Sequence, residues 1–185
     1  MTRRVRRAGL VLLVAVLAAC GGGSGGTADT AQDALNRGLQ AHAAGRLDDA
    51  VVAYFQTLEH DPRNKFAFYN LGEIAQRANR TQAAESYYRL ALEQDPKMSS
   101  ALFNLAIVRS TAGAPQDAVA LYRQVITIDP TFAAAHFNLG LVLRQLGQTV
   151  EAQQELATAQ RLDATLVVPV PSASPARQAS PTARP

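Results

Sequence analysis

The stretch KFAFYNLGEIAQRANRTQAAESYYRLALEQDPKM, residues 65–98, contains the pattern on which most of the chain is built. Its Asp95-Pro96 dipeptide has counterparts 34 residues earlier, at Asp61-Pro62, and 34 residues later, at Asp129-Pro130. A fixed period of this kind indicates one supersecondary unit that stacks on copies of itself, because a single unit cannot bury its apolar face alone. Such arrays present extended binding surfaces, so the period favours binding over catalysis.

Each unit is predicted to be a hairpin of two short helices. The second helix is expected to end at the Asp-Pro pair, because proline disfavours helical geometry in the residue before it. The residues that divide the hairpins are of types that accept the left-handed conformation closing a helix: Gly45, Asn79, Gly113 and Gly147. Small residues recur where paired helices must approach, at Gly38, Gly72, Ala106 and Gly140 in the first helix and Ala50, Ala84, Ala118 and Ala152 in the second. Large residues on the second helix are expected to fill the space between hairpins: Tyr54, Tyr88, Tyr122 and Leu156.

This pattern resembles the tetratricopeptide repeat family, whose motif has small residues at its eighth and twentieth positions and a proline near its thirty-second. The resemblance implies an all-α fold, an α-solenoid of four helix-turn-helix repeats, within a domain of residues 31–164. The repeats are expected at about residues 31–64, 65–98, 99–132 and 133–166. Two departures lie at the ends of the array: Arg37 stands where the other repeats have leucine, and Ala164 replaces the closing proline. A polar outer face is expected at such ends, because no neighbouring repeat covers them.

The beginning of the chain has the features of a secretory leader. Four arginines precede an uninterrupted apolar run, residues 8–19. This run would rise only about 18 Å as a helix, well short of the roughly 30 Å hydrocarbon core of a bilayer. The sequence therefore predicts a cleaved signal peptide, residues 1–19, and not a membrane span.

The leader ends in Leu17-Ala18-Ala19-Cys20, which resembles the lipobox of bacterial lipoproteins, where a peptidase cuts before a lipid-modified cysteine. The resemblance implies lipid attachment at Cys20, the only cysteine in the chain. The alternative is an ordinary small-residue cleavage site that happens to contain a cysteine. Lipidation would anchor the exported protein to the outer face of the cytoplasmic membrane, or to the outer membrane of a Gram-negative host.

The segments on either side of the repeats lack a pattern that could fold. Residues 20–30 form a glycine-rich tether, and residues 165–185 hold five of the nine prolines and no acidic residue. The latter composition is typical of a disordered tail. Four of the 18 basic residues and none of the 15 acidic residues precede Cys20, so the remaining chain carries 14 basic and 15 acidic residues. This balance argues against a nucleic-acid-binding surface.

One asparagine recurs in the first helix of every repeat, at Asn36, Asn70, Asn104 and Asn138. The family resemblance implies that this helix lines a concave surface. An asparagine amide offers both a donor and an acceptor, so a column of four could pair with the backbone of an extended peptide. The alternative is that each amide bonds locally to a neighbouring turn.

Aromatic residues precede three of these asparagines: Tyr69, Phe103 and Phe137. If the family geometry holds, they line the same groove and make it suitable for an extended segment or an amphipathic helix. The alternative is that they fill the core between repeats.

No catalytic, metal or cofactor site is predicted. The three histidines, His42, His60 and His136, share no metal-ligand spacing. A lipidated Cys20 leaves no cysteine nucleophile. His136 occupies a core-type position, where a packing role is expected. We therefore expect neither a cofactor nor a small-molecule substrate.

Together these features predict a membrane-anchored scaffold, not an enzyme, that binds a peptide segment or helix of an envelope protein in its groove. Members of the resembled family with this layout serve in cell-wall, secretion or pilus-type assembly. Two alternatives remain open. One is a structural module whose repeats self-associate, or whose groove holds the chain's own tail through Val168-Pro169-Val170-Pro171. The other is a cell-wall spacer with a glycosylated tail.

Overall fold

The computed structural model describes residues 30–167, and this part of the chain consists of α-helices joined by short turns. Every helix boundary recurs at intervals of 34 residues, as the sequence period predicts. The helices within the described range are α1 (Ala31–Ala43), α2 (Leu47–His60), α3 (Lys65–Arg77), α4 (Thr81–Gln94), α5 (Ser99–Thr111), α6 (Pro115–Ile128), α7 (Ala133–Gln145) and α8 (Thr149–Leu162).

The turn inside each hairpin is closed by a residue in the left-handed conformation, which confirms the predicted division. Asn79 has φ of 56° and Gly113 has φ of 81°. In the first hairpin the Arg46 amide donates to the Ala41 carbonyl at 2.9 Å, and the Gly45 amide donates to the His42 carbonyl at 3.0 Å. These bonds satisfy carbonyls at the end of α1 and reverse the chain within three residues.

The second helix of each repeat ends in front of an aspartate, as predicted. The Asp95 carboxylate accepts the backbone N–H of Lys97 at 3.0 Å, and Asp163 accepts that of Thr165 at 2.9 Å. The last helix therefore ends in the same register although Ala164 replaces the proline. The aspartate turn alone is sufficient to end the helix there.

The paired helices approach at the small residues, as predicted. A Cβ atom placed on Gly38 would lie 2.5 Å from a ring carbon of Tyr54, and one on Gly72 would lie 2.6 Å from a ring carbon of Tyr88. Both tyrosines are completely buried. The sequence placed these tyrosines in the space between hairpins, and Tyr54 does cluster there with Leu71 of the next repeat. The glycines show that the tyrosines also fill the space inside their own hairpins.

The outer face of the first repeat is polar, as expected for an uncovered end. The exposed Arg37 donates to the Gln56 side chain at 2.9 Å, whereas the equivalent Leu71 is buried against the first repeat. At the other end Leu166 is half-buried, but Val167 is 81% exposed and does not cover the last hairpin.

The predicted leader, the predicted lipid-attachment residue Cys20 and most of the predicted tether and tail lie outside the described residues. Of the tether, only Thr30 is described; it caps α1, because its hydroxyl accepts the backbone N–H of Asp33 at 3.2 Å. Of the tail, residues 165–167 are described. Within residues 30–167 every helix is too short or too polar to cross a bilayer.

Candidate peptide-binding groove

The first helices of successive repeats come closest together near the middle of the array. Helix α3 contacts α5 directly across the boundary between two repeats. Among the described helices, second helices of successive repeats show no contact of similar extent. A stack whose layers lie closer together on one side curves toward that side, so at this boundary the first helices lie on the inner side, as the family resemblance implies for the groove.

The predicted row of asparagines is not uniform along this face. Asn36 is exposed and accepts a hydrogen bond from the Gln32 side chain at 3.0 Å. Asn70 is only 7% exposed, and its amide donates to the Phe66 carbonyl at 2.7 Å. The Asn70 donor is therefore used within its own helix, as the local alternative requires.

The other two asparagines make contacts between repeats and stay half-exposed to the groove. The Asn104 amide donates to the Tyr69 hydroxyl at 3.3 Å. The Asn138 side chain lies close to the Tyr122 hydroxyl, and the two residues line the same hollow. Each amide is positioned by the repeat before it, and each still has hydrogen-bonding capacity for a ligand.

Two of the predicted groove aromatics, Tyr69 and Phe103, also pack against core clusters that span neighbouring repeats. The Phe103 ring stacks on Phe132, with centroids 4.9 Å apart, and meets Tyr122 edge-on at 5.7 Å. The Tyr69 ring lies 6.0 Å from Tyr88. Both Tyr69 and Phe103 are half-buried, as is Phe137 in the last repeat. Tyr69 and Phe103 thus combine the two predicted roles, with one side of the ring in the core and part of it accessible.

The core tyrosines extend their hydroxyl groups to the groove side of the hairpins. The Tyr88 hydroxyl donates to the Gln76 side chain at 2.7 Å, and the Tyr54 hydroxyl lies 3.4 Å from Nδ1 of His42. Burial raises the pKa of Tyr122 to about 12, although its contact with Asn138 acts in the opposite direction. The hydroxyls therefore stay protonated and can serve as donors at neutral pH.

A negative charge in the middle of the groove acts on the same tyrosines. Burial first, and then the nearby Glu73 carboxylate, raises the pKa of Tyr69 to about 12. Burial and Glu73 likewise raise the pKa of Tyr54 to about 12. Arg77 lines the same hollow, so one acidic and one basic side chain stand there without a salt bridge between them. Within residues 30–167 the two groove hollows contain Arg77 as their one basic residue and not the cluster that would hold a free carboxylate.

Two hollows follow one another along the groove. The first, of about 390 Å³, is polar and is lined by Glu73, Gln76, Arg77, Asn79 and Asn104. The second, of about 260 Å³, lies between α5 and α7 and combines aliphatic walls with amides and hydroxyls. Its lining includes Ile107, Ser110, Tyr122, Asn138, Leu141 and Gln145.

The histidines do not converge on a common site. His136 is 7% exposed, with Nδ1 2.6 Å from the Glu155 carboxylate and Nε2 3.0 Å from the Pro130 carbonyl. This places His136 in the packing role that its position predicts. Nowhere in residues 30–167 do three or more histidine, cysteine or acidic side chains group closely enough to hold a metal ion.

Sequence reasoning missed the part that Tyr122 plays in the groove. It assigned this tyrosine only to the space between hairpins, but its hydroxyl reaches Asn138 and lines the second hollow. The available signal was the residue type, since a buried tyrosine hydroxyl needs a hydrogen-bonding partner and phenylalanine would fill the same space without one.

Comparison with known families and structures agrees with the repeat fold. One sequence model of the tetratricopeptide repeat matches residues 35–99 and 69–131, and a second matches residues 111–165. The structure of MamA is 23% identical, with a TM-score of 0.68 over 72% of this chain and 78% of that one. The MamA RS-1 ArsTM double mutant is 15% identical, with a TM-score of 0.66 over 72% of this chain and 75% of that one.

A tetratricopeptide repeat protein from Parabacteroides merdae is 22% identical, with a TM-score of 0.66 over 74% of this chain and 55% of that one. No curated protein sequence matches the chain. At these identities the solved structures establish a shared fold and leave the ligand to be argued from the groove itself.

Proposed function

Because this chain belongs to the tetratricopeptide repeat family, we propose that it is a scaffold, not an enzyme, that holds a segment of an envelope protein in its concave groove. The scaffold is tethered to a membrane through a lipid on Cys20. Its partner belongs to a cell-wall, secretion or pilus-type assembly.

The hollow between α5 and α7 carries the proposal of segment binding. Ile107 and Leu141 provide an aliphatic floor, and Ser110, Asn138 and Gln145 provide hydrogen-bonding groups around it. An extended segment points every second side chain to the same face, while its backbone N–H and C=O groups stay available to amides. The hollow suits one apolar side chain of such a segment, with the backbone held at Asn138.

The polar hollow beside Asn104 extends this track toward the second repeat. Asn104 is held in place by the Tyr69 hydroxyl and lies opposite Glu73 and Arg77. Backbone pairing with asparagines tolerates many side-chain sequences, whereas the apolar hollow selects for one aliphatic or aromatic residue. The proposed ligand is therefore a segment with a single apolar anchor and a polar continuation.

Membrane attachment is supported by the leader and by the single cysteine at its end. A Cys20→Ser variant is expected to lose lipid labelling and to leave the detergent phase in a phase-partition assay. A Ser24→Ala variant in the tether provides the matched control and should partition like the wild type. Unchanged partitioning of Cys20→Ser would rule out the anchor without affecting the groove.

Segment binding is tested by affinity capture from crosslinked envelopes, comparing the wild type with Asn104→Ala plus Asn138→Ala. These asparagines are half-exposed, so their replacement should leave the fold intact and weaken partner capture about tenfold or more. Circular dichroism checks that the helices remain. Equal capture by both proteins would contradict the groove. Capture that appears only after residues 168–185 are deleted would instead favour a groove occupied by the chain's own tail.

A further inference from the structure

A second surface of the protein lies where successive repeats meet, at the ends of the hairpins that carry the internal turns. At the first of these interfaces a cleft lies between α2 and both helices of the second repeat, α3 and α4. The cleft between the first two repeats has a volume of about 370 Å³. Its walls include Val51 and Phe55 of α2, Ile74 of α3, and Ala83 and Tyr87 of α4. Phe55 is 44% exposed, and a group that fills the cleft would bury its ring.

Charged side chains bridge the equivalent interfaces farther along the array. Between the second and third repeats, Arg109 pairs with Glu85 at 3.2 Å and with Asp117, which its Nε atom also contacts at 3.1 Å. Between the third and fourth repeats, Arg123 pairs with Glu151 at 2.6 Å. These ion pairs link the second helices of adjacent repeats, directly or through the first helix between them.

The 34-residue register shows why the first cleft has no such bridge. Phe55 occupies the position of Arg89 and Arg123, and Ala83 occupies that of Asp117 and Glu151. Ala75 likewise replaces the bridging Arg109. At this interface the chain has therefore exchanged an arginine and an acid for a phenylalanine and an alanine, which leaves an apolar cleft in place of a charged one.

The rim of the first cleft has an excess of positive charge. Arg77 and Arg80 stand on one side and Asp48 on the other. Within residues 30–167 neither of these arginines has a carboxylate as a salt-bridge partner, in contrast to Arg109 and Arg123. A ligand that carries a carboxylate beside an apolar group would therefore meet complementary charge at the rim.

We propose that this cleft is a second docking site, which shares only Arg77 with the lining of the two groove hollows, for a protein segment that inserts one large apolar side chain flanked by an acidic residue. The apolar side chain packs against Phe55, Ile74 and Tyr87, and the acidic residue pairs with Arg80, which lines this cleft and neither groove hollow. The volume of about 370 Å³ is at the lower end of the range for ligand sites and suits one side chain of a peptide.

The test uses a variant that closes the cleft with the ion pair found at the last interface of the same chain. Phe55→Arg plus Ala83→Glu recreates the pair formed by Arg123 and Glu151. A phage-displayed library of short random peptides is selected on the wild type and depleted on this closed variant. Peptides retained by this scheme should share an aromatic or aliphatic residue next to Asp or Glu. In fluorescence anisotropy they should bind the closed variant about tenfold or more weakly than the wild type.

Matched variants separate this site from the groove and from loss of structure. Phe55→Leu keeps an apolar wall and should retain the peptides, and Asn104→Ala plus Asn138→Ala should bind them as the wild type does. Arg80→Gln should weaken peptide binding by up to about fivefold, which is the contribution expected of an exposed ion pair. The closed variant should melt within a few degrees of the wild type, since it uses a pair already present in the fold. A selection in which no peptide distinguishes the open cleft from the closed one would overturn the proposal, as would retained peptides without an acidic neighbour.

Discussion

Replacing Gly72 by leucine tests the closest helix contact of the second repeat. A Cβ atom at this position would lie 2.6, 2.7 and 3.1 Å from three ring carbons of Tyr88, whereas ordinary contacts begin at 3.4 Å. The ring cannot retreat easily, because Tyr88 is completely buried with Leu105 and Val108, and its hydroxyl is held by Gln76 at 2.7 Å. We therefore expect α3 and α4 to be forced apart.

The size of the expected loss of stability follows from two opposing effects. Overpacking of a core costs about 1–3 kcal/mol, and removing a glycine from a helix interior returns about 0.8 kcal/mol. The free energy of unfolding should consequently fall by up to about 2 kcal/mol, a substantial part of the roughly 5–15 kcal/mol typical of a domain. Urea unfolding followed by circular dichroism measures this change, with the exposed Gln82→Leu as a control that should alter it little. A Gly72→Leu protein as stable as the wild type would refute the assigned contact between α3 and α4.

Three further substitutions or conditions test other parts of the fold. His136→Ala removes the bridge to Glu155 and Pro130 and should lower the free energy of unfolding in urea by about 1.5–3 kcal/mol. The control, the exposed His60→Ala, should change it little, and equal stability of the two variants would contradict the packing role of His136. Gly113→Ala should lower the free energy of unfolding by about 1–2 kcal/mol, because φ at this residue is 81°. Gly113→Asn should lower it less, since the equivalent residue of the second repeat is Asn79; an asparagine variant less stable than the alanine variant would show that the left-handed turn is not the constraint. Tyr54, Tyr69 and Tyr122 have pKa values of about 12 in the fold against 10 in the unfolded chain. Between pH 10 and 12 the folded protein therefore binds more protons than the unfolded chain, so the free energy of unfolding should fall as the pH rises through this range. If the tyrosines ionise, as followed by tyrosinate absorbance, while the free energy of unfolding stays constant, this linkage is contradicted.

The 34-residue period was sufficient to predict the helices, because each boundary depends on a residue with a strong local preference. Asn79 and the glycines close the first helices, and the aspartates end the second ones. The last helix shows the limit of the proline signal, since Asp163 ends α8 without it. Fold prediction from the sequence succeeds here because local and repeated signals agree.

The individual contacts of the groove could not be predicted from the period, because equivalent asparagines meet different neighbours. Asn104 finds the Tyr69 hydroxyl in the preceding repeat. The residue in that position for Asn70 is Leu35, which offers no hydroxyl, and the Asn70 amide turns back to the Phe66 carbonyl. The position in the repeat thus determines where the Cα atom of a residue lies, whereas the hydrogen-bonding partners of its side chain depend on the neighbouring repeat.

The most direct test of the central claim is site-specific photocrosslinking of the intact protein in its native envelope. A photoreactive amino acid is placed at Gln145, an exposed residue that lines the hollow between α5 and α7, and in parallel at Gln154, an exposed residue on α8. The account predicts an adduct with one envelope protein from Gln145, which weakens when Asn138→Ala is added and is absent from Gln154. Equal adducts at the two positions, or an adduct at Gln145 that persists unchanged in Asn138→Ala, would contradict recognition by the concave groove.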